Sequence, residues 1–153
     1  MKAELTPAEV DRITSLLSRI QAAFHGVPRP QITRSVAEGL DDEWTLSEER
    51  FRELNARDPE QEWTDLTGRD LEESNGYFTF ADDEGWRFYL PAHMSMVLGD
   101  FHTHSSGSSV YNACTDPKPR FGALDEAQMA CVLEFTALIH GYWARTMNQW
   151  KQR

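Results

Sequence analysis

The chain has 153 residues, 40% of them hydrophobic, and a formal net charge of -10. This length predicts one domain with a substantial core, because a domain of this size buries about two-thirds of the surface that its unfolded chain exposes. The hydrophobic fraction argues against a disordered acidic chain. The negative charge argues against a nucleic-acid partner and against an anionic membrane, because like charges repel.

The excess negative charge is concentrated in one segment of the chain. Residues 41–84 contain 16 acidic and 4 basic side chains, so this segment alone has a net charge of -12. A field of this sign attracts cationic partners. The alternative interpretation is a solvated acidic face that only increases solubility.

Two features of the chain predict its cellular environment. No apolar signal core with a small-residue cleavage site precedes the first helix, so we expect a cytoplasmic protein. The longest apolar stretch, residues 127–144, is interrupted by Glu134 and His140 and is more typical of a buried helix than of a membrane span. Cys114 and Cys131 are therefore expected to be reduced thiols.

The first half of the chain contains several helix-start patterns. Thr6, followed by a proline and by Glu9, predicts a helix that ends at Gly26. Shorter helices are expected over residues 33–39, from a second capping box at Thr45 to about residue 56, from a further start at Asp58, and over residues 68–74. Their apolar stripes are thin, which predicts that they lie on the outside of the core.

The aromatic stretch in the second half can be interpreted in two ways. A helix that begins at Asp82 and is kinked at Pro91 is the favoured interpretation, and a short β-hairpin near residues 77–90 is the alternative. Residues 99–123 are rich in Gly, Ser, Pro and Asp and predict an irregular loop. A long C-terminal helix is predicted over residues 124–150, capped by Asp125, at the centre of the domain.

These elements together predict a mainly α fold. We expect residues 1–153 to form a single compact helical domain, with an acidic helical segment at 41–84, an irregular loop at 99–123 and a C-terminal core helix at 124–150.

The one candidate metal site is a His-x-His pair. At a spacing of two, His102 and His104 would project to one side of a strand, with Asp100 beside them. The pattern resembles the His-x-His and distant Asp ligands of zinc-dependent deubiquitinase-like peptidases, which implies Asp116 as a third ligand. The chain has Ala113 where that family has a serine. The simpler interpretation is an incidental pair in a Ser/Gly loop, so no metal or other cofactor is expected.

Nucleophilic catalysis has less support. The serine cluster at 105–109 is not a Gly-x-Ser-x-Gly elbow. His140 and Cys131 lie on a predicted packed helix face, where a core histidine is more common than a catalytic one.

Several blocks resemble an uncharacterised bacterial family, known only as a domain of unknown function. They are residues 22–30, Trp63 ahead of Leu66, the block Gly85 to Ala92, and residues 124–128 with Phe135. The resemblance extends over about residues 13–140, and its most specific part is the Tyr-Leu-Pro-Ala sequence within a Phe-Arg-Phe-Tyr-Leu-Pro-Ala-type block. It implies a small intracellular bacterial protein and identifies no catalytic residues.

The charge map favours a non-enzymatic protein-binding protein. Its most concrete form is a bacterial immunity protein that neutralises a cognate basic toxin through an acidic face. The candidate partner-binding residues, with Trp44 as an aromatic anchor, are Asp41, Asp42, Glu43, Trp44, Glu48, Glu49, Glu60 and Glu62. The alternatives are a metal-dependent hydrolase that uses the His-x-His pair and a housekeeping adaptor that has no toxin partner.

Overall fold

A computed structural model describes residues 4–74, 81–100, 107–115 and 122–153. Within these ranges the chain forms α-helices and short 3-10 segments, and it contains no strand. The α-helices are α1 (Pro7–Ala23), α2 (Arg34–Glu43), α3 (Glu48–Asn55), α4 (Gly68–Glu73), α5 (Asp83–Gly99), α6 (Gly107–Thr115) and α7 (Glu126–Lys151), and the 3-10 helix spans Trp63–Asp65. The predicted mainly α fold is confirmed.

Two predicted helix starts are confirmed by their hydrogen bonds. The Thr6 hydroxyl accepts from the Glu9 N–H at 3.2 Å, and the Glu9 carboxylate accepts from the Thr6 N–H at 2.8 Å. Asp125 and Gln128 form the same reciprocal pair at the start of α7, with distances of 2.8 and 3.1 Å. These contacts satisfy backbone N–H groups that have no partner inside the helix.

Two other predicted starts are wrong. The cap of α3 is Ser47, not Thr45, since the Ser47 hydroxyl accepts from the Arg50 N–H at 3.1 Å. No helix begins at Asp58, because its carboxylate is hydrogen-bonded to Ser35 at the start of α2. The segment from Asp58 contains no α-helix and leads into the 3-10 helix, where Trp63 is buried and donates its indole N–H to the Phe24 carbonyl at 3.0 Å.

The block from Trp86 to Ala92 lies inside α5, which continues through Pro91 to Gly99. The hairpin alternative is therefore wrong for residues 86–90, whereas residues 77–80 lie outside the described ranges. Nearly every side of α5 is buried, and Phe88, Leu90 and Met94 are completely inaccessible to solvent. The central helix of the domain is therefore α5, which packs against α1 and α6.

The C-terminal helix begins at Glu126, close to the predicted boundary, and the prediction of a long C-terminal core helix is confirmed, although α5 is buried on more of its sides. One side of α7 packs against α1 and α6 and buries Phe135 and Ile139. The opposite side is open to solvent, with Leu133 61% exposed. His140 is also exposed, so the prediction that it is a core histidine is wrong.

Residues 99–123 are not one irregular loop, because residues 107–115 form α6. The loop was predicted from the Gly, Ser, Pro and Asp content of this stretch, and α6 itself begins with Gly and Ser, which have low helix propensity. Val110 and Cys114 lie on one side of α6 and are buried against the core. This tertiary packing stabilises a helix that the local sequence does not favour. No helix in the described part of the chain is both long and apolar enough to cross a membrane.

Leu90→Ala is expected to lower the free energy of unfolding by about 2–5 kcal/mol, because truncating a fully buried leucine removes apolar contacts and leaves a cavity. Urea denaturation followed by circular dichroism measures this change. The control is Val10→Ala on α1, where the side chain is 46% exposed, and its expected effect is less than about 0.5 kcal/mol. Equal effects of the two changes would contradict the placement of Leu90 in the core.

Candidate protein-binding face

Most of the predicted partner-binding residues lie on a helix pair formed by α2 and α3. The two helices pack directly against each other. Gly39 of α2 lies against α3, and a Cβ atom at this position would overlap the Leu54 side chain. The outer side of the pair carries the candidate residues Asp41, Asp42, Glu43, Trp44, Glu48 and Glu49, all of them exposed to solvent. We call these six residues the acidic face.

The connection between the two helices holds Trp44 in an unusual conformation. Trp44 ends α2 with φ 63° and ψ -43°, and the Thr45 N–H donates to the Glu43 carbonyl at 2.7 Å. This is the geometry of a γ-turn with a positive φ, which costs about 1–3 kcal/mol in a residue other than glycine. The indole is also 87% exposed, so solvent surrounds the largest side chain on the acidic face.

The carboxylates of the acidic face are only partly neutralised. Arg50 donates to Glu43 at 3.1 Å and to Glu53 at 3.0 Å. The pKa of Arg50 is raised, chiefly by its hydrogen bond to Glu43. The other four carboxylates of the face make no ion pair with the residues that the structure describes; they belong to Asp41, Asp42, Glu48 and Glu49. The face therefore keeps a net negative charge.

The two remaining candidates occupy different environments. Glu62 is exposed and caps the 3-10 helix. Glu60 is 2% exposed, so its proposed role as a surface contact is wrong. It accepts from the Arg34 Nε at 2.9 Å and from the Tyr89 hydroxyl at 2.8 Å. A carboxylate with these internal partners cannot contact a partner protein at the surface.

A buried polar network joins the start of α2 to α5. Tyr89, completely inaccessible in α5, donates to Glu60 and accepts from the Arg34 N–H at 3.3 Å. The Asp58 carboxylate accepts from the Ser35 N–H at 2.9 Å and from its hydroxyl at 2.6 Å. Asp58 therefore provides the N-terminal cap of α2 from a position 23 residues away in sequence.

Arg34 is the cation that pairs with three carboxylates of this network, those of Asp58, Glu60 and Asp70. Its guanidinium lies 3.7 Å from Asp58 and 3.5 Å from Asp70. Burial acts to lower the pKa of Arg34, but the hydrogen bond and charge of Glu60 outweigh it and the pKa is raised. The pKa of Asp70 is lowered, mainly by the Thr67 backbone N–H that it accepts from.

A second arginine holds the chain between α3 and the 3-10 helix. Arg29 donates to the carbonyls of Asp58 and Glu60, both at 2.8 Å, and to the Asn55 side chain at 3.2 Å. The two arginines therefore bind the same segment from residue 55 to residue 60. This network positions α2, and with it the acidic face, relative to the core.

The described residues contain few groups suited to catalysis. His102, His104 and Asp116 lie outside the described ranges, and Asp100 ends α5. No group of three or more His, Cys, Asp or Glu side chains elsewhere in the described chain is placed to hold a metal ion. Cys114 and Cys131 are free and buried, and burial raises the pKa of both thiols.

A shallow groove lies beside α1, on the surface next to the 3-10 helix. It consists of two adjoining cavities of about 530 and 490 Å³. Ser18, Gln21, Trp63 and Thr64 line both cavities. The side chains along the groove are small or uncharged apart from Glu62 and His25 at one end, and they form no nucleophile–base pair.

Comparison with known proteins identifies a family and no function. The sequence profile described as "Family of unknown function (DUF6714)" matches residues 12–150. A search of curated proteins and a search of solved structures find no match. This match covers most of the chain and confirms the resemblance to an uncharacterised family. The protein therefore belongs to this family of unknown function.

Proposed function

We propose that the protein is a non-enzymatic binding protein that recognises a basic protein partner through the acidic face. The proposal rests on two features of one helix pair: exposed carboxylates that make no ion pair with any described residue, and a tryptophan exposed to 87%. Tryptophan is enriched among the residues that dominate the energy of protein interfaces. The positive φ of Trp44 adds support, because backbone strain is concentrated at functional positions.

The electrostatics of the face suit rapid recognition of a cationic surface. Within residues 41–84, Arg34 engages Asp58, Glu60 and Asp70. Arg50 engages Glu43 and Glu53, and Arg69 engages Glu73. The remaining exposed acids produce a field that extends about 10 Å at moderate salt. Such a field accelerates association with a partner of opposite charge and has less influence on how slowly the complex dissociates.

The most concrete form of this proposal is a bacterial immunity protein. A toxin that acts on nucleic acid or nucleotides needs a basic cleft to bind its substrate. The acidic face would compete with that substrate for the same cleft, and Trp44 would anchor the complex at its centre. The family supplies no activity that favours or excludes this role, so the proposal depends on the surface chemistry alone.

The first experiment is affinity capture from lysate of the native host, followed by identification of the bound proteins. A basic protein whose activity is inhibited in the complex supports the toxin-neutralising role. A basic partner that has no toxic activity favours the adaptor alternative instead. Recovery of acidic partners alone, or of none, would overturn the proposal.

The charge prediction is tested on the captured partner with two matched double variants. Asp41→Lys with Asp42→Lys is expected to slow association about tenfold and to reduce its salt dependence. The control, Glu4→Lys with Asp11→Lys, makes the same change of charge at exposed residues outside the face. Similar slowing by both variants would indicate net charge, not the acidic face, as the cause.

Trp44→Gly separates binding from folding. Glycine tolerates a positive φ, so the variant is expected to be at least as stable as the wild type. Loss of the indole is expected to weaken partner binding about thirtyfold, which corresponds to about 2 kcal/mol for an interface anchor. Unchanged affinity would show that Trp44 is not part of the interface.

The hydrolase alternative can be distinguished by its metal requirement. Elemental analysis of the purified protein, before and after incubation with zinc, measures whether the His102 and His104 region binds a metal. Stoichiometric zinc that is lost in a His102→Ala variant would favour the hydrolase over the binding protein.

A further inference from the structure

A second uncovered surface lies on α7, on the side that faces away from the core. Residues at helical spacing form an uncharged outer stripe along this side: Ala130, Leu133, Ala137, His140, Ala144 and Met147. Every one of them is exposed, and Leu133 and Met147 are exposed to 61% and 60%. In an amphipathic surface helix this side normally carries charged residues.

The charged residues of α7 that lie between its two ends are already paired. Between Glu126 and Lys151 the helix contains two charges, Glu134 and Arg145. Glu134 lies 3.0 Å from Arg12, and Arg145 lies 2.6 Å from Glu9, so both are held against α1. The outer stripe is therefore free of charge in a protein whose formal net charge is -10. A basic partner would find no carboxylate on it.

We propose that the occupant of the outer stripe is α7 of a second copy of this chain, packed antiparallel about a twofold axis near residue 138. This arrangement places Leu133 of each copy opposite Ala144 of the other. It also places Met147 opposite Ala130. Each large side chain thus meets a small one, which allows two helices to approach closely and fill the space between them.

The charges at the two ends of the helix fit the same arrangement. Glu126, in the first turn, is opposite Lys151 of the partner copy, in the last turn, and the twofold axis repeats this contact. Both side chains are exposed and make no other ion pair in the described chain. A parallel arrangement would place like charges together, so the end charges favour the antiparallel one.

The size of the stripe sets the expected strength of the dimer. The 26 residues of α7 extend over about 39 Å, but a single helix pair buries less surface than a standard interface of about 1,600 Å². The dimer is therefore expected to be reversible, with a dissociation constant on the order of 10 μM. This dimer is independent of the proposed partner, because the stripe includes no residue of the acidic face.

Sedimentation velocity over a concentration series tests the dimer with the purified chain alone. Ala137→Glu introduces a carboxylate at the centre of the stripe on an exposed helix position and is expected to weaken the dimer more than tenfold. The control, Gln149→Glu, adds the same charge at an exposed position of α7 outside the stripe. A wild-type protein that stays monomeric up to about 100 μM overturns the proposal, as does a dimer that is unaffected by Ala137→Glu.

A charge exchange tests the antiparallel register. Glu126→Lys alone and Lys151→Glu alone each place like charges together twice in the dimer, so each is expected to weaken it about tenfold. The double variant restores opposite charges and is expected to recover the wild-type dissociation constant. Circular dichroism of each variant verifies its helicity. If the single variants weaken the dimer and the double variant does not restore it, the proposed pairing is wrong.

Discussion

Arg34→Met is expected to lower the free energy of unfolding by about 3–5 kcal/mol, the range for breaking a buried ion pair from one side. Methionine keeps the apolar stem and removes the positive charge. Glu60, 2.9 Å from the guanidinium, and Asp58, 3.7 Å from it, would remain in an interior where their side chains are 2% and 0% exposed. The large effect arises from these uncompensated carboxylates. Urea denaturation measures the loss.

Two further variants make this prediction specific. Arg50→Met removes an arginine from the exposed pairs with Glu43 and Glu53, and it is expected to change stability by less than about 0.5 kcal/mol. Adding Glu60→Gln to Arg34→Met removes one buried charge and is expected to recover part of the stability. If Arg34→Met destabilises the protein no more than Arg50→Met does, the buried polar network around Arg34 does not stabilise the fold.

Mild acid is expected to destabilise the protein through His93. This side chain is completely buried in α5, and burial lowers its pKa from 6.5 to about 3. Between these two values the unfolded chain binds a proton that the folded protein does not bind. The stability contributed by neutral His93 is therefore complete above pH 6.5 and is lost as the pH falls toward about 3. At about pH 5 the expected loss is about 2 kcal/mol.

Between about pH 7.5 and about pH 5, loss of stability through His93 can be distinguished from loss through the carboxylates of Glu9 and Asp70. The pKa values of Glu9 and Asp70 are lowered from 4.5 and 3.8, so their contributions decline only at lower pH. Urea denaturation of the wild type and of His93→Gln at about pH 7.5 and about pH 5 measures how much stability each protein loses on acidification. The variant is expected to be less stable at neutral pH but to lose less on acidification. Equal losses in both proteins would show that another group is responsible.

The local sequence predicted those helices whose start is defined by contacts between residues a few positions apart. Thr6 with Glu9 defines the start of α1, and Asp125 does so for α7, because a helix cap depends on contacts three residues apart. The aromatic block at residues 86–90 was assigned to a helix by the cap at Asp82, whose carboxylate accepts from the Gly85 N–H at 2.8 Å. Asp41, Asp42 and Trp44 are exposed, as surface contacts must be, but α2 extends to Glu43 and therefore beyond the predicted end at residue 39.

Sequence position could not distinguish the acids that bind internally from the acids that face solvent. Glu60 and Glu62 are two residues apart and look equivalent in the charge map. Glu60 is buried because Arg34, 26 residues earlier, and Tyr89, 29 residues later, meet it in the fold. No signal in the neighbouring sequence distinguishes Glu60 from Glu62, because both partners of Glu60 are distant along the chain.

The sequence by itself determined the fold class, most helix boundaries and the location of the excess charge, because these depend on periodicity, caps and composition along a continuous stretch of chain. Tertiary structure alone decided that α5 is the central helix, that α6 exists, that Glu60 is internal and that one side of α7 is left open. Each of these depends on which distant residues come into contact, and burial changes the energy of a charge or an apolar side chain by more than its local propensity does.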